Sequence, residues 1–392
     1  MNKEKRKQKV LIVHNYYQIP GGEETVVANE RQLLEEHGHK VVLYTRHNDE
    51  LKKMNILQKI YLPFTTIFSL RTYKEVKRII REQNIDVVHV HNTLSLISPS
   101  VYYAAVKMNV PAVQTIHNFR FLCPGATFYR DGHICEDCMS KGLFCAIKHK
   151  CYRNSRAETF ICTVSTWIHR HTGILGKIDF ITLTDFNREK LLQLKQIRPN
   201  KVFVKPNFTF KPSSISYEEE AQRNYYLFIG RIEEGKGVKL LIEASKQIKQ
   251  QVFIAGDGPL RKEMEKTAPS NVKFLGYTDH NTLMGLIGKA KAVILPSQWY
   301  EGFSMTIPEA FAMHTPMIVG DIGNNGALIV DGHNGMKFKY DSAGDLIKTL
   351  ERFEQTDKAA LGEGAYSDYL NMYSAEANYK ILRDIYNSIG VS

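Results

Sequence analysis

The sequence predicts an α/β protein built from two doubly wound, Rossmann-like domains facing each other across a cleft. Three observations carry that expectation. The chain has 392 residues, more than one hydrophobic core ordinarily serves. Short β-branched runs alternate with helical segments, and the alternation starts again after a proline- and serine-bearing break near residue 210. Apolar content of 43% against 24% charge fits a folded globular chain, and no low-complexity tract or short-period repeat interrupts it.

The first series begins with "VLIVHN", the helical "GGEETVVANERQLLEEHG" and the strand "KVVLYT", and continues through "DVVHVHN", "PAVQTIHN" and "FITLTD". Almost continuously apolar strands fit a parallel sheet covered on both faces, and helices of roughly ten to fifteen residues fit the crossovers. The break falls in "VFVKPNFTFKPSSISYEEEAQ", residues 202–222, where proline, serine and an acidic run end the rhythm. The second series is "YYLFIGRIEEGKGVKLLIEASKQI", "QVFIAGDGPLRKEMEK", "NVKFLGY", "AKAVILPS" and "TPMIVGD". This places a first domain at 1–207, a second at 208–372 and a last helix at 373–392. A cysteine-rich insertion, 120–155, lies in the first domain.

The basic N-terminus carries only "VLIV" before His14, too short an apolar run for a signal-peptide core, so it reads as cytosolic. No stretch approaches eighteen uninterrupted apolar residues. Residues 1–207 hold 32 Lys and Arg against 18 Asp and Glu, leaving the rest of the chain with 20 against 23. Within the basic half, residues 52–81 contain eight Lys or Arg and one acid, Glu75, with apolar residues between them. This stretch reads either as a patch for an anionic membrane surface or as a solvated helix face. No zinc-finger array, RNP motif or basic heptad region points to nucleic acid.

Ligands of doubly wound sheets collect at the carboxyl ends of the strands. In the second series these ends carry "GRIEEGKG", with Arg231 and Lys236 among Gly230, Gly235 and Gly237, a composition suited to phosphate. "GDGP" follows the next strand, and "WYEGFSMTIPEAFA" follows "AVILP". Pro308 suits a first helical turn, so "PEAFAM" should begin a helix and "EGFSMT" should lead into it. Glu309 then has a bland explanation as an acid at a helix N-terminus. Glu301 in the loop has none, and its carboxylate suits paired sugar or ribose hydroxyls. Backbone N–H groups at Ser304 and Met305 suit a phosphate.

With these residues the chain resembles the retaining glycosyltransferases of family 4, which have the two-domain GT-B fold, and the resemblance covers most of its length. Glu301 and Glu309 look like the family's E-x7-E signature, Arg231 and Lys236 like its phosphate loop, and "AGDGP" like its next strand end. The resemblance implies that Arg231 and Lys236 neutralise a donor diphosphate, Glu301 holds donor-sugar hydroxyls and Glu309 binds the ribose. Gly21 and Gly22 are similar to the family's glycine-rich loop, and His117 to the histidine facing the donor sugar. "EANYKILRDIYNSI" resembles the closing helix that crosses back to the first domain. "KPNFTF" keeps Pro206 and Asn207 of the hinge pattern without the glycine that usually follows.

Five of six cysteines fall in one segment. The C-x2-C pair Cys135 and Cys138, with Cys123 and Cys151 flanking at x11 and x12, fits a four-thiolate structural zinc site. Unligated thiols or a redox pair are the other readings. A similar insertion occurs in a subset of bacterial family members.

The function the resemblance implies is transfer of a sugar from a UDP- or GDP-sugar to a lipid-linked or glycan acceptor, in bacterial surface-polysaccharide assembly. The enzyme would sit peripherally on the cytoplasmic face of the cell membrane through residues 52–81. No cofactor is required for the chemistry, because Arg231 and Lys236 serve where a divalent ion otherwise would and no Asp-x-Asp motif ends a strand. The alternatives are a nucleotide-sugar epimerase of the same fold and a catalytically silent sugar-nucleotide-binding partner of another transferase.

Overall fold

The computed structural model describes residues 7–19, 21–211 and 223–391. Residues 212–222 of the expected linker lie outside them. The chain divides into two compact units. The first comprises the described residues up to Thr127, Glu136–Pro206 and those from Asn378 onward; the second comprises Phe128–Cys135 and Asn207–Ala377.

In chain order the first strands are β1 (Lys9–Tyr16), β2 (Lys40–His47), β3 (Val87–Asn92) and β4 (Ala112–Ile116). A two-stranded hairpin follows, β5 (Tyr129–Arg130) and β6 (His133–Ile134), then β7 (Asp179–Thr182) and β8 (Val202–Val204). The remaining strands are β9 (Tyr225–Ile229), β10 (Gln251–Ala255), β11 (Val272–Gly276), β12 (Ala290–Leu295), β13 (Met317–Gly320) and β14 (Gly335–Phe338). The first unit's sheet has the order β2-β1-β3-β4-β7-β8 and the second's β11-β10-β9-β12-β13-β14, with every neighbouring pair parallel. Each sheet therefore has a switch point where strand order reverses, between β1 and β3 in one and between β9 and β12 in the other. Loops leaving a switch point part and open a crevice.

Continuous apolar runs form these strands because both faces are covered. On β9, Tyr226 and Phe228 enter one core while Tyr225 and Leu227 enter the opposite one, and β12 divides Ala292 and Ile294 from Val293 and Leu295 in the same way. Each fully buried large apolar side chain contributes about 1.5–3 kcal/mol. The short strands β8 and β14 were not in the rhythm read from sequence. "VFV" sits in the segment taken as the break, and "GMKF" holds a glycine, a lysine and no β-branched residue.

Residues 128–135, inside the insertion that the sequence places in the first domain, group with the second unit. Aromatic packing holds them there: Phe128 lies 6.2 Å from the Tyr300 ring and Tyr129 5.8 Å from that of Trp299, both edge to face.

The last helix, Ala375–Ser388, puts Leu382, Ile385 and Tyr386 into the first unit's core beside Val10, Ile12, Val87 and Val113. It also carries Asn378, which accepts from Lys205 Nζ at 3.0 Å and donates to the Pro206 carbonyl at 2.6 Å. Lys205 Nζ lies 3.0 Å from Glu30 of helix Gly22–Glu36, and neither side chain reaches solvent. Removing one partner of such a pair strands a buried charge. Glu30→Gln is expected to lower the unfolding free energy by about 3–5 kcal/mol. Urea midpoints check this, and adding Lys205→Met to the same chain should recover part of the loss.

Candidate functional site

The switch-point loops of the second unit are those after β9 and β12. The backbone N–H of Gln298 donates to the Gly235 carbonyl at 2.7 Å. Gly237 has φ +73°, and a Cβ there would lie 1.8 Å from the Pro296 carbonyl oxygen; a Cβ on Gly235, φ +84°, would lie 2.6 Å from the Trp299 ring. These two glycines, read in sequence as room for a ligand, are required by the approach of one loop to the other.

Lys236 Nζ donates to both oxygens of Glu301, at 2.8 and 3.1 Å, and Ser297 Oγ donates to the first at 2.8 Å. The ammonium also lies 5.4 Å from the Trp299 ring centre. Burial would raise the Glu301 pKa, but the charge of Lys236 and these hydrogen bonds hold the carboxyl below its ordinary range. The amide of Asn324, buried in helix Gly323–Leu328, donates to the Glu301 and Gly302 carbonyls, the latter at 2.7 Å. Nothing in the sequence reading singled out Asn324; its only signal is the "GNNG" run one strand later. Arg231 is half exposed and pairs with Glu233 at 3.2 Å. Both cations of this loop, Arg231 and Lys236, thus have carboxylate partners.

Helix Thr306–Ala312 begins two residues before Pro308, with Met305 as its N-cap and no side chain capping it. Ser304 precedes the cap, and its carbonyl accepts from the Ile307 N–H at 3.1 Å. Glu309 falls in the first turn and is almost wholly buried, with His280 Nδ1 3.8 Å away. Burial pushes its carboxyl up to about 8. The two glutamates of E-x7-E therefore stand in opposite states, Glu301 charged and Glu309 largely protonated at neutral pH.

In the first unit, Gly21 caps helix Gly22–Glu36, and Glu24 accepts from the N–H groups of Gly21 and Tyr17 at 2.8 and 3.1 Å. The Gly21 N–H is thereby engaged by the chain itself, while Gly22 is exposed. His117 follows β4, with Nε2 2.9 Å from His91 Nδ1 and the two rings stacked at 5.2 Å. His91 in turn stacks on His89 at 4.6 Å, and both face Glu30 Oε1, at 3.6 and 2.8 Å. Burial, then His89, lowers His91 to about 4; burial, then His91, lowers His117 well below the ordinary range. Burial and the His91 charge lower His14 to about 3. Neutral His91 has one N–H. With the anionic Glu30 facing Nε2, that proton belongs on Nε2, so Nδ1 accepts from His117 Nε2–H and leaves His117 Nδ1 as a lone pair.

Donor atoms of Glu30, His89 and His91 lie within 4.8 Å of one another, as at a metal centre. Their chemistry argues otherwise. The Lys205 ammonium already sits on the carboxylate, and His89 Nδ1 and Nε2 each lie 2.7 Å from a hydroxyl, of Tyr386 and Thr115. Among the cysteines, Cys138 Sγ lies 3.6 Å from Cys145 Sγ and is hydrogen-bonded with Cys123. Cys145, omitted from the set that spacing selects, belongs to this cluster. Cys151 lies beside Cys123 around Gly125, and Cys135 ends the segment grouped with the second unit.

The raised Glu309 carboxyl makes a pH prediction. A group that binds its proton more tightly when folded costs stability as pH rises from its unfolded value, near 4.5, through about 8. Glu309→Gln abolishes that cost. Relative to the parent chain, the variant is expected to be more stable at pH 9 than at pH 4, and urea midpoints across that range check the sign.

Residues 20–209 match the family model described as Glycosyltransferase Family 4, and residues 211–367 that described as Glycosyl transferases group 1. An uncharacterized glycosyltransferase of Methanocaldococcus jannaschii is 25% identical over 393 residues, covering 97% of this chain and 98% of its own. A glycosyltransferase structure from Rickettsia africae superposes with a TM-score of 0.70 at 18% identity, covering 98% of this chain and all of the other. The Anabaena protein HepE, crystallised in complex with UDP, gives 0.66 at 16% identity, covering 97% and 100%. Two six-stranded parallel sheets with the same fold along the whole chain make this the GT-B fold. The chain belongs to the family 4 glycosyltransferases.

Proposed function

We propose that this enzyme is a retaining transferase that moves a sugar from a UDP- or GDP-sugar to a lipid-linked or glycan acceptor in bacterial surface-glycan assembly. The observation that carries the reading is the Lys236–Glu301 pair, fixed by Ser297 at the switch point of the second sheet. A diphosphate is a more highly charged partner for Lys236 than a single carboxylate. On binding it would draw the ammonium toward the leaving group and free Glu301 oxygens to accept from sugar hydroxyls.

In transfer, the bond between the anomeric carbon and the diphosphate oxygen breaks and a bond to the acceptor hydroxyl oxygen forms, with the hydroxyl proton passing to the leaving phosphate. Charge grows on that phosphate. Arg231, Lys236 and the N–H groups of Ser304 and Met305 are the groups suited to stabilise it, without a metal. Glu309 would meet the ribose, where a carboxyl protonated at neutral pH can donate as well as accept. His117 Nδ1 would accept from a donor-sugar hydroxyl, and the Gly21–Gly22 turn would approach the donor or acceptor. A structural zinc on the thiols fits the 3.6 Å between Cys138 and Cys145, since two sulfurs at about 2.3 Å from a tetrahedral ion lie about 3.8 Å apart.

Attachment to the inner membrane face is supported by helix Ile56–Ile67. Ile56, Leu57, Ile60, Tyr61 and Phe64 are each 58 to 78% exposed on it, and Lys52, Lys53 and Lys59 are exposed beside them. A merely solvated face has no use for five large apolar side chains. Among the described residues no helix is long and apolar enough to cross a membrane.

One of UDP or GDP at 100 times its dissociation constant is expected to stabilise the protein by about 2.7 kcal/mol. Lys236→Ala should abolish that shift and slow nucleotide release from the matching sugar donor by about 10²–10³-fold. No stabilisation by either nucleotide would sink the transferase reading. For the membrane, co-sedimentation with vesicles of phosphatidylglycerol and phosphatidylcholine should exceed that with phosphatidylcholine alone and fall in the Ile60→Asp, Phe64→Asp double variant. Equal sedimentation in all cases would remove the membrane face.

A further inference from the structure

Three chambers of the first unit share walls in series from His117 to the exposed helix. The inner one is lined by His91, Asn92, Gln114, His117 and Arg120. The middle one adds Thr66, Cys162 and Leu175 to Arg120, Phe121 and Tyr102. The outer one is walled by Leu51, Lys59, Leu62, Leu94 and Ile161. Arg120 and Phe121 belong to both the inner and middle walls, and Thr66, Leu94 and Cys162 to both the middle and outer ones. Lining groups are polar beside His117 and more apolar in the middle chamber, while the outer one sets Leu51, Leu62, Leu94 and Ile161 beside Lys59, Arg153 and Glu158.

At the polar junction stands Arg120. Among the described residues its Nη1 is buried without a hydrogen-bond partner, though the guanidinium is hydrogen-bonded with Cys162 and lies over the Tyr152 ring at 5.1 Å. Burial opposes the guanidinium charge, while Tyr17, Tyr152, Cys162 and, least, Glu23 favour it; Glu23, the carboxylic acid among these, has its own carboxyl pushed up to about 8 by burial and by Glu24, so at neutral pH it is largely uncharged. A buried, partnerless guanidinium N–H is costly, and its planar fork matches a phosphate.

We propose that these chambers bind an amphiphile with a phosphate head and a long hydrocarbon chain, the phosphate on Arg120 and the chain running through the middle chamber toward the outer one beneath helix Ile56–Ile67. The proposal rests on the transferase reading and names its acceptor class: a phosphate-linked lipid whose reacting hydroxyl would lie toward His117. The occupant is argued from the unmatched positive charge at one end and the exposed apolar and basic helix at the other, which suits a chain anchored in an anionic bilayer.

The test uses the full chain and dodecyl phosphate below its micelle-forming concentration, titrated by calorimetry, with dodecyl maltoside, inorganic phosphate, UDP and GDP as separate arms. Dodecyl phosphate should bind one per chain and more tightly than inorganic phosphate or the maltoside. Arg120→Gln should weaken it about tenfold or more, since a hydrogen bond to a charged group contributes about 1.5–3 kcal/mol. Leu62→Trp, which fills the outer chamber, should weaken it as well, while both variants keep the parent chain's nucleotide affinity as proof of folding. Unchanged affinity in Arg120→Gln would overturn the proposal, as would equal losses for the uncharged maltoside. Loss of nucleotide binding in that variant would move Arg120 to the donor site and also overturn it. Failure of the parent chain to bind either UDP or GDP would strike the transferase reading and leave the dodecyl phosphate result to stand or fall separately.

Discussion

A carboxylate with no access to water, Glu30, is the constraint on which the first unit turns. It projects from helix Gly22–Glu36 to meet Lys205 just after β8 and His89 and His91 on β3, while Asn378 of the last helix completes the lysine's shell. Two opposite charges in a low dielectric are each expensive alone, and their attraction repays the cost only where geometry is held closely. Four separate stretches of chain must therefore be in register before the pair can form. The final helix docks through a polar address, Asn378, as well as through Leu382 and Ile385. The same carboxylate sets the histidine stack, because it decides which nitrogen of His91 carries the proton.

The second unit solves a related problem twice, with opposite results. Glu301 and Glu309 lie in consecutive segments after β12, and both are removed from water. Glu301 has Lys236 and Ser297 against it and stays ionised; Glu309 has a histidine at 3.8 Å and is pushed up to about 8 by burial. Burial is the same influence in both, and the partner decides. A charged, satisfied carboxylate resists change until something displaces its lysine. A protonated one can donate a hydrogen bond that the other cannot, so the two are not interchangeable recognition groups despite identical chemistry in sequence.

The strand rhythm was legible because parallel strands covered on both faces are apolar at most positions, and that signal survives in a linear string even with His14, His89 and His91 among them. Strands β8 and β14 escaped because short edge strands need no such run. Glu301 was legible because a glutamate beside glycine after a buried strand has no structural excuse. Asn324 was not, since its partners are backbone carbonyls more than twenty residues away. Glu30 is in sequence one acid among several in a helical segment, and only the fold brings Lys205 and two strand histidines to it. The glycines were noticed for a partly different reason from the one that holds at Gly235 and Gly237, where a neighbouring loop, not a ligand, occupies the space a side chain would take. Cys145 lay outside the chosen spacing pattern because spacing alone cannot rank five nearby thiols.

The two switch points differ in electrical character, and the difference follows from what covers them. The β9 and β12 loops present Arg231, Lys236 and Glu301, full charges balanced locally. The corresponding region of the first sheet presents His14, His91 and His117, each made neutral by burial and by the others. Stacked imidazoles cannot all be protonated together, so a neutral set of directed donors and acceptors results. On the proposed reading this division is what the chemistry needs. A diphosphate gaining charge as it leaves requires compensating cations, whereas sugar hydroxyls are recognised by dipoles and would be poorly distinguished by a net charge. Arg120, farther along the first unit's cavity, is the exception that breaks the neutral run, and an anion is what its unmet N–H can accommodate.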